Sequence, residues 1–321
     1  MNQEKINFHI ARDFSELFNI VTKFLSQNFL HFFKMLLFIA GPFILISSIF
    51  GALYQSHALQ LVKSSAGTDP LSIYNNMLSQ LGWEYFAFLF FAFCSGIVLI
   101  TTVYSYVIAY DTYGSKNFEV QDIRMLMQQN MWKTIKGFFT LSLILIGILV
   151  TIAGIAAIFI SQFKVVGIVL LILIFLVLFI VSPPFIWQFS TFYLPIMTED
   201  VSVSEALRKT RMLLRGDFFS TWILIIASGL LLAVLGVVFS IPQAVYHSIL
   251  QFGGGNINSN NIPFIIVTTV CTFGSTFIYS IFYIVCAFQY YSLSEKKEGK
   301  ALMNRIDEIG NAPSDDVEQQ Y

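Results

Sequence analysis

The sequence predicts an all-α integral membrane protein with six transmembrane helices, and three observations carry the prediction. Hydrophobic residues fill 56% of the 321 positions and charged residues only 12%, about half the charged share of a soluble domain. No single water-soluble core has room for that many Phe, Leu and Ile side chains, so the bilayer is the solvent. Six apolar runs are long enough to span ~30 Å of hydrocarbon, which takes about 20 residues each. The few charges lie between those runs and almost never inside them. The net charge of −1 gives no electrostatic footprint for nucleic acid.

The runs cover about 29–54, 85–110, 137–160, 165–197, 218–244 and 262–291. Ahead of the first lie 28 residues, too long a lead for a cleavable signal peptide and without a small-residue cleavage site, so the first run is read as an uncleaved span. Only its mouth carries ionisable groups, His31 and Lys34; an apolar stem lets a lysine there reach the headgroups. Cys94, Cys271 and Cys286 all sit inside apolar runs and read as small apolar filler, with no His, Asp or Glu at metal-ligand spacing.

Each segment leading into a pair of spans carries an amphipathic stripe. In the first it is Phe14, Leu17, Phe18, Val21, Phe24 and Leu25, with Asp13 and Glu16 at capping-box spacing. In the second it is Val120, Ile123, Leu126 and Met127. In the third Val203, Leu207, Thr210 and Leu214 share one face, Arg208, Arg211 and Arg215 another, and Ser202 or Ser204 is the N-cap. Breaks are expected at Asn28, at Asn130 and at Gly216 with Asp217, where residues tolerant of left-handed backbone turn an interfacial helix into the membrane. The unit of interfacial helix, span, outer turn and span thus recurs weakly three times.

The connections differ. Between the first two spans Asp69 and Pro70 read as N-cap and N1 of a short helix continued by Leu71, Tyr74, Leu78 and Leu81. Residues 161–164 make a tight turn, and the Gly- and Asn-rich 253–261 a flexible loop. The fourth run, 33 residues, would cover ~50 Å as a helix. Pro183 and Pro184 lie inside it, where a missing N–H and a clashing ring kink or break the helix. After the last span a short amphipathic piece, 299–309, closes a single domain of 1–310, and 311–321 is a disordered acidic tail.

Sixteen of the 18 Lys and Arg residues fall before or at the mouth of the first span, in the second-to-third and fourth-to-fifth connections, and after the last span; only Lys63 and Lys164 lie on the other side. This asymmetry predicts that both chain ends and the second-to-third and fourth-to-fifth connections face the cytoplasm.

Catalytic patterns are missing from the residues. His9, His31, His57 and His247 form no metal-ligand pair, and no paired intramembrane carboxylate or nucleophile motif is present. Glu199 and Asp200 sit where acids favour a helix N-terminus. No cofactor is expected. Arg208, Arg211 and Arg215 are candidate contacts for anionic lipid; Pro183, Pro184 and Gln188 are a candidate helix break or gate. Polar residues of the second and sixth spans, among them Thr101, Thr102, Thr272 and Thr276, either knit helices together or line a path.

Several short motifs resemble a set of uncharacterised bacterial six-span membrane proteins. They are Pro195 ending a span, Glu199, the run Ser204-Glu205-Ala206-Leu207, Gly216 before the next span, and the tail 290–310. That set includes the membrane domain fused to glycerophosphoryl diester phosphodiesterases, and the tail is similar to that of stand-alone relatives in Bacteroidetes-type bacteria. In the fused proteins a separate soluble barrel holds the hydrolase, and nothing in this chain corresponds to it. The resemblance therefore implies a membrane module without phosphodiesterase activity. The expected function is non-enzymatic: organising the membrane and engaging lipids or other membrane proteins. A transporter for a small or lipophilic solute is the alternative.

Overall fold

The computed structural model describes residues 5–64, 82–114, 117–252 and 261–299. Its helices are α1 (Phe14–Ile39), α2 (Gly41–Ser64), α3 (Trp83–Tyr113), α4 (Val120–Thr191), α5 (Tyr193–Thr198), α6 (Val203–Leu214), α7 (Phe218–Phe252) and α8 (Ile262–Glu298). No strand occurs among the described residues. Six stretches are long and apolar enough to cross a membrane: Gly41–Gln60, Trp83–Tyr113, Val120–Ile152, Phe175–Thr198, Phe218–Leu250 and Ile262–Glu298. This is the multi-pass, all-helical architecture expected. The predicted outer helix from Asp69 and most of the glycine loop and tail lie outside the described residues.

Two of the three expected breaks are not there. Asn28 sits buried inside α1, its Nδ2 donating to the Phe24 carbonyl at 3.0 Å. Asn130 does the same inside α4, donating to Leu126 O at 3.0 Å. An asparagine whose amide bonds back one turn is satisfied within the helix and has no reason to end it. The first span shifts accordingly, because the real discontinuity is Ala40. Helical bonds still cross it, Ala40 N–H to Leu36 O at 2.8 Å and Ile44 N–H to Ala40 O at 3.0 Å. Pro42 supplies no N–H, so the result is a proline kink. The third break holds: Gly216 has φ +94°, left-handed backbone that costs a glycine little.

The expected turn at 161–164 is also absent as a non-helical element, since α4 is helical without interruption over 72 residues. Those four positions hold no Gly, Pro or Asn to stop a helix. Even so, the chain reverses within α4. A Cβ on Gly137 would lie 3.2 Å from the ring of Phe192 and 3.3 Å from that of Tyr193, whereas 55 residues of straight helix would separate them by ~80 Å. The limbs of this reversal are lipid-facing: Leu143–Val150 and Phe175–Val181 are exposed throughout.

The core gathers at the end where α1, α3, α4 and α8 meet the segment before α1. Phe8 is fully buried, its ring centroid 4.5 Å from Phe288, 5.6 Å from Tyr110 and 5.8 Å from Phe24. Lys5 Nζ donates to Asp111 O at 2.5 Å, His9 meets the Asp111 carboxylate at 2.9 Å, and the Arg12 N–H donates to Ser292 Oγ at 2.9 Å. The predicted stripe of α1 supports this packing through buried Leu17, Val21 and Phe24, although Asp13 caps α1 without a side-chain bond. The capping box sits at α4 instead, between Glu119 and Asp122.

Candidate functional site

The densest polar architecture is built around α6. Ser202 is its N-cap: its Oγ accepts from Glu205 N–H at 3.4 Å, and Glu205 Oε2 accepts from the Ser202 N–H at 3.0 Å. The Ser202 backbone N–H, helped by its hydroxyl and by nearby Arg208, holds the Glu205 carboxyl below the usual carboxylate range. Ala206, Thr210, Leu213 and Leu214 turn inward. Arg208, Arg211 and Arg215 turn outward as predicted, beside exposed Met212 and Phe219. Among the described residues none of the three arginines enters an ion pair, so their charge faces the surroundings.

Behind this face α6 is fastened on every side. Lys209, only 15% exposed at its side chain, holds Glu199 at 2.7 Å and Glu298 of α8 at 3.2 Å. Asp200, in left-handed backbone at φ 55°, pairs with Lys133 of α4 at 2.7 Å. The two acids thus bind across elements and leave the N-terminus of α6 to Ser202. At the other end Lys297 donates to Met212 O at 3.1 Å, to Leu213 O at 2.5 Å, and to Arg215 O. A helix end leaves its last carbonyls short of donors; Met212 O also accepts the Arg215 N–H at 3.2 Å. Asp217 accepts from Lys296 at 2.6 Å and lies 3.5 Å from Lys297.

The double proline is a helix interior, not a break. Pro183 and Pro184 are buried within α4. Each lacks the N–H that would bond the carbonyl four residues back, which leaves Phe179 O and Ile180 O without helical donors. Both are supplied from elsewhere: Ser182 Oγ donates to Phe179 O at 3.0 Å, and Trp222 Nε1 of α7 donates to Ile180 O at 2.6 Å. One turn on, buried Gln188 donates through Nε2 to Leu207 O at 3.3 Å, joining α4 to α6. The structure thus brings Gln188 to the arginine helix.

The polar residues proposed as a path lining mostly bond within their own helices. Thr101 Oγ1 donates to Ile97 O at 2.7 Å, Thr102 to Val98 O at 2.6 Å and Thr276 to Thr272 O at 2.8 Å. Helix-to-helix polar links come from Tyr104 Oη to Ser190 O at 2.6 Å and from Gln289 Nε2 to Thr221 Oγ1 at 3.0 Å. Among the described residues no group of three or more His, Cys, Asp or Glu is placed to hold a metal ion. Sequence reading missed Lys209 and Lys297, whose partners lie in other elements, and a cleft shared by α1 and α4. In sequence Lys34 is a charge at the mouth of the first span and Arg124 one of the basic residues of the second-to-third connection. Their common signal, one basic residue on each of two stripes that end at the same bundle face, emerges only once the helices are paired. No protein-family model, curated protein or solved structure matches this chain.

Proposed function

We propose that this multi-pass membrane protein organises its membrane without catalysis, presenting α6 as a fixed basic platform to anionic lipid. The observation that carries the reading is the contrast between the two faces of α6. Lys209, Lys297 and Gln188 immobilise the inner face, while Arg208, Arg211 and Arg215 remain outside any ion pair, flanked by exposed Met212 and Phe219. Each basic residue near an anionic surface contributes ~1 kcal/mol. A pre-ordered row spends little conformational entropy on binding. With the excess of Lys and Arg at this end, the reading places the platform on the cytoplasmic side of a bacterial inner membrane. It also treats the chain as a stand-alone counterpart of the membrane domain named above, with membrane lipids and other membrane proteins as partners.

The transporter alternative relied on Pro183 and Pro184 as a gate. Donors on the Phe179 and Ile180 carbonyls that the two prolines leave vacant and internally bonded threonines support a static role for these elements. The test is the lipid preference of the full-length protein in mixed bilayers, read with spin-labelled phosphatidylglycerol against phosphatidylcholine. R208Q/R211Q/R215Q should lower the anionic preference toward that of neutral lipid. An unchanged preference sinks the platform.

A further inference from the structure

We infer that the cleft between α1 and the start of α4 binds a phosphate-bearing anion, and its lining favours the headgroup of a membrane phospholipid. None of the residues lining it belongs to α6, so the site does not depend on the α6 arginines. The cleft, about 930 Å³, is lined on one side by His31, Lys34 and Met35 and on the other by Phe118, Glu119, Gln121, Arg124, Met125 and Gln128. The polar groups come from two helical faces that converge. His31 and Lys34 are three apart on α1, and Gln121, Arg124 and Gln128 follow at i, i+3 and i+7 on α4, the spacing that puts side chains on one face.

The charge balance points to an anion. Among the described residues Lys34 and Arg124 make no ion pair, and Glu119 is the one carboxylate lining the space. That carboxylate belongs to the N-cap of α4, whose backbone N–H donates to Asp122 Oδ2 at 2.7 Å, and the two cations outnumber it. The N-terminal end of a long helix adds partial positive charge at the same place. An arginine fork, a lysine and two side-chain amides form a donor set suited to phosphate oxygens.

Depth and lining select the lipid. On α1 Lys34 stands between exposed Leu30, Leu37 and Phe38, at i−4, i+3 and i+4, so the cation emerges from a lipid-facing apolar stripe. On α4, Trp132 is 65% exposed two turns beyond Arg124, with Lys136 Nζ 5.6 Å from its ring centre; tryptophan in this setting marks the headgroup layer. Met35, Phe118 and Met125 supply apolar wall for the first carbons below a phosphate. A soluble anion would have no use for that wall.

The experiment is native mass spectrometry of the full-length protein in neutral detergent, titrated with phosphatidylglycerol, phosphatidylcholine and inorganic phosphate. Phosphatidylglycerol should add one tightly held molecule. K34Q/R124Q should weaken it about 30-fold, two basic residues at their usual contribution near an anionic surface. K34R/R124K should retain it. M125W, which crowds the cleft wall beside Arg124 and leaves every charge in place, should also weaken it, while R208Q/R211Q/R215Q should not, so failure of the α6 platform leaves this site standing. If inorganic phosphate binds with the same dependence on Lys34 and Arg124 and phosphatidylglycerol does not, the anion site stands and its source is soluble. Equal phosphate and lipid binding by wild type, K34Q/R124Q and M125W, with unchanged helix content, overturns the proposal.

Discussion

Trp222 offers the sharpest test of how α4 tolerates two consecutive prolines inside a bilayer. Its indole N–H reaches Ile180 O at 2.6 Å, the carbonyl that Pro184 cannot serve. W222F keeps an aromatic ring and deletes only the donor. A carbonyl left without a partner costs ~1–3 kcal/mol in a protein interior, whereas side-chain bonds measured within membrane bundles average ~0.6 and reach ~1.7 kcal/mol. The expected loss is therefore ~1–2 kcal/mol. P184A restores a backbone N–H at the position that needs it, so in that background W222F should cost almost nothing. The coupling between the two substitutions, read from unfolding of the purified protein in mixed micelles of mild and denaturing detergent, should be ~1 kcal/mol or more. An equal cost for W222F with and without Pro184 would refute the stapled-proline account.

Glycines give a second comparison. Gly216 has φ +94° and open space where a Cβ would go, so G216A should cost ~1 kcal/mol from backbone strain alone. Gly274 is helical, but its Cβ would sit 2.1 Å from the Phe239 ring of α7. G274A should force α7 and α8 apart at ~1–3 kcal/mol; G147A, helical and open, should be neutral or stabilising, and the same unfolding assay ranks all three. Acid should loosen α6 from its N-terminus. Glu205 titrates below its unfolded value, so its capping contribution is complete above that value and is lost as pH falls through the lower folded one. Hydrogen exchange at 203–206 should accelerate across that window in the wild type and be pH-insensitive, beyond intrinsic exchange, in E205Q.

The parts of the fold legible in sequence are those set by one segment and one solvent. Apolar run length announced six spans because crossing hydrocarbon is a property of the run itself. The outward arginines of α6 and its Ser202 cap followed from 3.6-residue spacing and local hydrogen bonding. Asn28 and Asn130 misled because the amide that can end a helix can equally donate to the carbonyl one turn back, and burial decides which. Proline likewise gives notice of a vacant carbonyl but not of Trp222, 42 residues away. The platform's arginines were readable, while Lys209 and Lys297, which hold that platform still, were not, because their partners belong to other helices. The cleft was invisible for the same reason: neither Lys34 nor Arg124 is unusual on its own stripe.

The tucked segment before α1 carries a consequence for assembly order. Phe8 and Arg12 find their partners at Phe288, Tyr291 and Ser292, near the end of the last span. During synthesis Phe24 and Tyr110 can meet Phe8 early, but its Phe288 and Tyr291 contacts and the Arg12 bond to Ser292 must wait until almost the whole chain has been threaded into the bilayer. Docking them works as a latch that closes only on a completed bundle. A chain stalled before α8 would carry an open latch, a local and recognisable mark by which proteolysis could tell unfinished copies from finished ones.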